Sequence, residues 1–236
     1  MTPRPNAWML RAALGLSTVF GAVLLSGCDP RQAMFFLQPF DPKIPAPCPS
    51  LKNKKVVLLT SAVSGTQNEF VTVDRDITTN LVKVLEKNIK GITVVEPAKV
   101  TDWARSKPTL TDPAEAATAF EADIVIFLEI QKFQIQSPLD LDLYQGKANI
   151  HIRVIEVAHP KDDRGRTLSD KPKESEIIHE GDLDLEFPVT GGIPRESGVS
   201  KATFKNKFLK IVNEQLSWHF IEHTPGDNIQ DTRFHD

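Results

Sequence analysis

An apolar run near the N-terminus, at residues 12–25, decides which part of this chain can belong to a folded domain. Arg4 and Arg11 come before it, and its length of about 14 residues matches the apolar core of a secretory signal peptide. A membrane-spanning helix needs about 20 apolar residues, so the run is too short to be assigned as one. We therefore expect residues 1–27 to be a signal peptide that is removed, with an uncleaved anchor or a core helix as the alternative.

The apolar run ends in Leu25-Ser26-Gly27-Cys28, which resembles the lipobox of bacterial lipoproteins. The small residues let the signal peptidase bind an extended chain, and the Cys sulfur receives a diacylglyceryl group. The resemblance implies that Cys28 is the lipidated first residue of the mature protein and holds it to a membrane, since two acyl chains suffice for stable anchoring. Asp29 resembles an inner-membrane retention signal. The cell membrane and the outer membrane both stay open as the anchoring site, with the domain in the periplasm.

The composition of the chain is that of a globular domain. Its 236 residues are 25% charged and 40% hydrophobic, which suits one domain with a core. A formal net charge of −3 provides no basic footprint, so we expect no nucleic-acid partner. Cys28 and Cys48 are the two cysteines, and with Cys28 lipidated no internal disulfide is expected.

A proline-rich segment, residues 28–53, is expected to tether the domain to the anchor. Proline is unfavourable in helix interiors and central strands, and such segments extend by about 3.1 Å per residue. Cys48 lies between two prolines with no histidine near it in sequence, so we expect a free thiol or an intermolecular disulfide rather than a nucleophile. Five apolar residues are expected to pack on the domain, with the lipid interface or a partner as alternatives: Met34, Phe35, Phe36, Leu37 and Phe40.

The segment from residue 54 begins with alternating strands and helices. The continuous apolar run at residues 56–60 predicts a buried strand. Residues 74–90 have apolar side chains at helical spacing and predict a helix that ends at Gly91. Residues 92–95 predict a second strand. Two short helices follow, one opened by Pro97 and one by Asp112-Pro113, an acidic N-cap followed by proline.

Three strands are then predicted in succession, before one last helix. Residues 122–136 form the first strand, with a phase shift near Gln131 that indicates a bulge. Residues 144–157 and 176–187 alternate apolar with polar side chains and are joined by a charged loop at 159–174. The last helix is predicted at residues 200–223, followed by a frayed tail at 224–236.

The predicted order is therefore β-α-β-α-α-β-β-β-α. Strands joined by direct connections favour antiparallel pairing, whereas the first two strands, separated by a helix, favour parallel pairing. We predict an α/β (α+β) domain over residues 54–223. Its sheet is mixed and mostly antiparallel, with about five strands and helices packed mainly on one face.

This order, after a lipobox and a proline-rich tether, is similar to that of a group of envelope proteins. The group includes the penicillin-binding-protein activator lipoproteins, the curli-secretion lipoprotein and the amino-terminal domain of the Tol-Pal translocation protein. The resemblance implies a non-enzymatic periplasmic binding domain, although the chain shows no long amphipathic hairpins of the kind that a curli-type pore requires. It covers about residues 54–223 and is carried by packing and turn segments: Lys55-Val56-Val57-Leu58-Leu59, Asp74-Arg75-Asp76-Ile77, Ala122-Asp123-Ile124-Val125-Ile126, Tyr144-Gln145-Gly146-Lys147-Ala148 and His179-Glu180-Gly181.

Motifs for catalysis and metal binding are absent from the sequence. It has no G-x-S-x-G, P-loop, dinucleotide-binding or H-E-x-x-H pattern, so we predict no catalytic residues, no cofactor and no enzyme activity. His219 and His223, four apart on the predicted last helix, have the spacing of a two-imidazole metal site. No third ligand follows them at a suitable spacing, so we expect solvated helix residues.

Several charged groups are expected to be solvated surface. One set of acidic residues alternates along turns or strands without the glycine of a calcium loop: Asp140, Asp142, Asp182, Asp184 and Glu186. Lys201, Lys205, Lys207 and Lys210 make the last helix basic, with anionic lipid or an acidic partner as the alternative to plain solvation. Thr190-Gly191-Gly192 is expected to turn the chain.

These features predict a membrane-anchored envelope lipoprotein that acts as a non-enzymatic adaptor, scaffold or regulator through contacts with envelope proteins. The expected contact surfaces are the 158–174 loop, the exposed strand face and the last helix. One alternative is a periplasmic hydrolase without a recognisable motif, which a pocket of residues with perturbed pKa values would favour. The other is a component of an oligomeric secretion or transport assembly, which a long, apolar, exposed strand edge would favour.

Overall fold

The computed structural model describes residues 43–62, 72–107, 112–136, 140, 142–159, 164 and 173–224. The predicted signal peptide, Cys28, the apolar residues between 34 and 40, most of the 159–174 loop and the tail from residue 225 lie outside the described residues. In the described part of the chain, no helix combines the length and the apolar character needed to span a bilayer.

The described residues form six strands and four helices in the predicted order. A two-residue strand and a 3₁₀ turn, Arg195–Ser197, are additions before the last helix. The elements are β1 (Lys55–Ala62), α1 (Val73–Asn88), β2 (Thr93–Val94), α2 (Pro97–Arg105), α3 (Ala114–Phe120), β3 (Ile124–Gln136), β4 (Leu143–Ala158), β5 (Glu174–Phe187), β6 (Ile193–Pro194) and α4 (Lys201–Ser217).

The strands form one mixed sheet in the order β2-β1-β3-β4-β5, with β6 also beside β4. β1 is parallel to both β2 and β3, whereas the pairs β3–β4, β4–β5 and β4–β6 are antiparallel. The register of β3 against β4 shifts between Ile130 and Lys132, which confirms the predicted bulge. The mixed, mostly antiparallel sheet confirms the predicted fold class.

Helices lie on both faces of the sheet, with the two long ones on one face. α1 and α4 enclose the main core, which includes Val56 and Leu58 of β1. α2 and α3 cover part of the opposite face, where Val57 and Leu59 are buried. In the sheet, β2 lies on one side of β1 and β3 on the other. The connection from β1 to β2 and the connection from β2 to β3 therefore cross the sheet in opposite directions. Right-handed crossovers therefore place the two sets of helices on opposite faces.

α4 is shorter than predicted. Its N-cap is Ser200, as expected, and the Ser200 hydroxyl oxygen accepts a hydrogen bond from the Thr203 N–H at 3.0 Å. The helix ends at Ser217 rather than at residue 223. Beyond it the backbone forms tighter i→i+3 bonds, such as Phe220 N–H to Ser217 O at 2.9 Å, and the Phe220 side chain turns into the main core.

Residues 43–53 pack against the domain, although the sequence placed them in the tether. The Ile44 N–H donates to the His223 carbonyl at 2.7 Å, and the Cys48 N–H donates to the His219 carbonyl at 3.0 Å. Cys48 and Leu51 are buried in the main core. Burial of these side chains, together with backbone pairing, outweighs the extended preference of the prolines. The domain boundary therefore moves from residue 54 to residue 43.

Candidate interaction surface

The sheet face opposite α1 and α4 carries an ordered array of mainly polar side chains, which begins at Phe127, at the border of the part covered by α2 and α3, and continues beyond it. Side chains alternate between faces along a strand, and Ala148 and Ile150 point into the main core while Asn149 and His151 point away from it, as predicted. We call this array the polar sheet face. Its rows across β3, β4 and β5 are Phe127–Arg153–Glu180, Glu129–His151–Asp182, Lys132–Asn149–Asp184 and Gln134–Lys147–Glu186.

On the polar sheet face the acidic groups are concentrated on β5 and the basic groups on β4, while β3 carries Glu129 and Lys132. Every β5 member of the array is acidic, whereas the β4 members include Lys147 and Arg153. Lys147 Nζ lies 3.2 Å from a Glu186 carboxylate oxygen, and the Arg153 guanidinium lies 5.0 Å from the centre of the Phe127 ring. Such half-exposed ion pairs contribute at most about 1 kcal/mol each to stability. These contacts therefore contribute little to holding the fold together.

His151 is held between two carboxylates of β5. Its Nδ1 lies 2.7 Å from Asp182 Oδ1, and its Nε2 lies 3.1 Å from Glu180 Oε1. An imidazolium, with two N–H donors, satisfies both contacts. A histidine oriented by a carboxylate is also the arrangement of a general base. None of the twelve residues of the polar sheet face is Ser, Thr, Cys or Tyr, so the array itself supplies no hydroxyl or thiol that such a base would activate.

A groove on the polar sheet face is lined in part by Asn149, and Asn149 is one of three residues of this face with a buried polar atom that has no partner among the described residues. Its volume is about 340 Å³, and Lys132, Asn149 and Asp184 are among the residues that line it. Asn149 Oδ1, Gln134 Nε2 and Arg153 Nε are buried without a hydrogen-bond partner in the described part of the chain. A buried polar group left unpaired costs about 1–3 kcal/mol.

A second pair of titratable groups lies on the core side of β5. His179 Nε2 and His219 Nδ1 are 3.1 Å apart. Burial lowers the pKa of both imidazoles, and the neighbouring His179 lowers the pKa of His219 further while Asp182 partly offsets this. His223, the predicted helical neighbour of His219, instead stacks on Trp218 at a centroid distance of 4.5 Å. His219 and His223 were expected to be solvated residues of the last helix, and their helical placement is wrong because α4 ends at Ser217, before either histidine.

No group of three His, Cys, Asp or Glu side chains is arranged to hold a metal ion within the described ranges. Of the acidic residues considered for calcium, Asp140 and Asp142 form a turn in which Asp140 Oδ1 accepts a hydrogen bond from the Asp142 N–H at 2.9 Å. The other three, on β5, belong to the polar sheet face.

Cys48 is a free, buried thiol. Burial raises its pKa to about 12, because the thiolate would be desolvated. Only the thiolate attacks electrophiles or disulfides. The burial and the raised pKa support the prediction that Cys48 is not a nucleophile.

The lysines of α4 partly serve the domain itself. Lys205 Nζ lies 3.5 Å from Asp76 Oδ2 of α1, and Lys207 Nζ lies 6.0 Å from the centre of the Phe187 ring. The four lysines were expected to be plainly solvated; Lys201 and Lys210 are exposed, whereas Lys205 and Lys207 contact side chains of the domain. The polar sheet face is consequently the strongest candidate site in the described part of the chain.

Comparison with known proteins assigns no family. No protein-family model matches this chain, and no curated protein matches its sequence. Among solved structures, it is similar to lipoprotein GNA1162 from Neisseria meningitidis, with 10% identity over 69% of this chain and 98% of that chain, at a TM-score of 0.37. The PelC dodecamer from Paraburkholderia phytofirmans is 12% identical over 78% of this chain and 98% of that chain, at a TM-score of 0.37. A minor lipoprotein from Acinetobacter baumannii is 11% identical over 71% of this chain and 90% of that chain, at a TM-score of 0.26. At these scores the likenesses carry neither a family nor a function over to this chain.

Proposed function

We propose that this chain is a lipid-anchored envelope protein that binds a second envelope protein through the polar sheet face and performs no catalysis. In this proposal the acyl chains on Cys28 fix its location, and the proline-rich segment up to residue 42 sets its reach. The domain from residue 43 presents the binding face. The signal-like N-terminus and the Leu25-Ser26-Gly27-Cys28 sequence support the anchoring part.

The observation that carries the binding part is the groove and the row of side chains that crosses it: Lys132 of β3, Asn149 of β4 and Asp184 of β5. Lys147 and Glu186 line the same groove, so charged groups of both signs surround Asn149, which is a pattern that specifies a polar partner. A protein surface has peptide and side-chain groups enough to pair with several of these side chains at once.

Two features of the described residues bear on the alternatives. A hydrolase that acts through a Ser, Thr or Cys nucleophile needs a hydroxyl or thiol beside its base, and the His151–Asp182 pair has none next to it in the array. The oligomeric secretion reading predicts a long apolar strand edge, whereas the long edge strand, β5, is acidic. Binding by an adaptor requires neither feature.

Site-specific photo-crosslinking in native envelopes tests the proposal. A photoreactive amino acid replaces Lys132, at the groove, in the full-length chain, and Glu86 on the solvent side of α1 provides the matched control position. We expect a discrete adduct from position 132 and none from position 86. The adduct partner is then identified by mass spectrometry, purified and titrated against the full chain.

Two variants give this experiment its controls. Asn149→Leu replaces a polar residue that lines the groove with an apolar one, and we expect it to weaken binding of the purified partner about fivefold to a hundredfold, in line with loss of one polar contact at the interface. Cys28→Ala should abolish membrane retention and leave the isolated binding reaction unchanged. Equal crosslinking from positions 132 and 86, or substrate turnover that depends on His151, would contradict the proposal.

A further inference from the structure

The two edges of the sheet differ greatly in length. β2, at one edge, has two residues, a length that offers little to another strand. β5, at the other edge, has 14 residues and spans about 46 Å at about 3.3 Å per residue. It pairs with β4 alone, and among the described residues no backbone hydrogen bond joins residues 174–185 to any other segment. A strand of this length with an open side is a template for strand addition.

Side chains on β5 decide which strand that edge accepts. Glu180, Asp182 and Asp184 are exposed, occupy every second position and share one face. A strand added to the edge places its own alternate side chains about 4.5–5.5 Å from them, where opposite charges stabilise and like charges destabilise. A second copy of β5 paired antiparallel would set acids against acids. The pattern therefore selects against self-pairing and for a basic strand.

An exposed apolar residue lies on the same face of β5. Ile177 is 52% exposed and pairs in register with Ile155, which is buried under α3 in the second core. A docked strand that carries an apolar side chain beyond its basic ones would cover Ile177 and extend that core by one residue. A partner strand that fits this edge therefore needs basic side chains opposite the acidic residues and an apolar side chain opposite Ile177.

We propose that β5 is a docking strand, to which an extended segment of a partner protein adds with Lys or Arg at alternate positions opposite Glu180, Asp182 and Asp184. This inference rests on the proposed adaptor function and specifies how the partner is bound. Backbone hydrogen bonds supply the affinity, and the acidic row supplies the specificity and the register.

Synthetic peptides and the full-length lipidated chain in detergent micelles test the inference. The probe is a peptide of about ten residues that alternates Lys with Thr, and its extended length equals that of residues 177–186. We expect it to bind at least about tenfold more tightly than a peptide of the same composition with all Lys residues in one block. Two further peptides carry N-methyl groups on one or the other set of alternate amides. One of them should lose binding about tenfold or more and the other should keep it, because one set of amides faces β5.

A charge exchange supplies the matched protein variants. Asp182→Lys/Asp184→Lys should reverse the preference, so that a peptide alternating Glu with Thr binds more tightly than the Lys peptide. Glu86→Lys/Asp102→Lys, with the same change in charge on α1 and α2, should keep the original preference. Circular dichroism establishes that each variant is folded.

Three results would overturn the docking strand. The first is that the alternating Lys peptide does not bind. The second is that both N-methylated peptides bind equally well, which indicates attraction by charge alone. The third is that the folded Asp182→Lys/Asp184→Lys variant still prefers the Lys peptide. The proposed function can fail separately. If a partner crosslinks at position 132 but no peptide binds to β5, the adaptor function is supported and the docking strand is contradicted.

Discussion

His179 of β5 and His219, in the turn after α4, face each other through Nε2 and Nδ1 at 3.1 Å. The carbonyl of His219 also accepts a hydrogen bond from the Cys48 N–H at 3.0 Å, so the contact links the edge strand to the packed N-terminal segment. One proton between the two facing nitrogens makes a hydrogen bond, whereas a proton on each places two N–H groups face to face. The folded state therefore favours neutral imidazoles at this position.

We expect the free energy of unfolding to decrease as pH falls below the ordinary histidine value of 6.5. Burial, and for His219 also the neighbouring His179, lowers the pKa of these imidazoles in the folded state. Below pH 6.5 the unfolded chain consequently binds more protons than the folded chain. The stability contribution is full above that pH and is lost as pH falls towards the folded-state pKa. Urea unfolding at about pH 7.5 and about pH 5 measures it.

His219→Gln is the control for this pH dependence. It removes one titrating group of the pair, so the loss of stability between the two pH values should be smaller in His219→Gln than in the unmodified chain. The same pH dependence in both proteins would contradict the role assigned to the His179–His219 contact.

The Cys48 thiol should resist alkylation in the native protein. Burial raises its pKa from 9.0 to about 12, which reduces the thiolate fraction about a thousandfold, while the greater nucleophilicity of a more basic thiolate offsets part of this. We expect iodoacetamide to label Cys48 at least about thirtyfold more slowly in native protein than in urea-unfolded protein. Peptide mass spectrometry locates the label. Equal rates in the two states would show that Cys48 is not buried as described.

Replacement of Gly146 by alanine should destabilise the domain. A Cβ atom at Gly146 would lie 2.6 Å from Phe208 Cδ2, and Phe208 is fully buried between α4 and the sheet. The contact forces the helix and strand apart, and such overpacking costs about 1–3 kcal/mol. Ser175→Ala, at an exposed position of β5, should change stability by less than about 0.5 kcal/mol. Urea denaturation compares the two variants, and equal midpoints would contradict the packing of α4 on β4.

Local patterns in the sequence were enough to predict most of the fold. The alternation of Ala148 and Ile150 with Asn149 and His151 gave the inward and outward faces of β4, and the change of phase at Gln131 gave the bulge. The acidic residues on β5 were correctly expected on a solvated face. Each of these inferences depends on neighbours within one strand, where side-chain direction is fixed by a two-residue period.

Contacts between segments that are distant in sequence could not be predicted from these local patterns. The register of β4 against β5 places His151 beside Asp182 and Glu180. A long charged loop separates these two strands in the sequence, so local patterns do not reveal the register. The end of α4 at Ser217 depends on Phe220 turning into the core, and its apolar stripe reads as continuous helix in the sequence. The helices on the second face follow from the direction of the crossover past β1, and that direction depends on strand order.

The mass of the N-terminal peptide of protein isolated from native membranes tests the account most directly. Trypsin should release residues 28–31, Cys28-Asp29-Pro30-Arg31, with a diacylglyceryl group in thioether linkage to the Cys28 sulfur. A peptide of residues 12–31 from uncleaved chain, or a mature N-terminus at Cys28 with an unmodified thiol, would contradict the proposal that this domain works at a membrane surface.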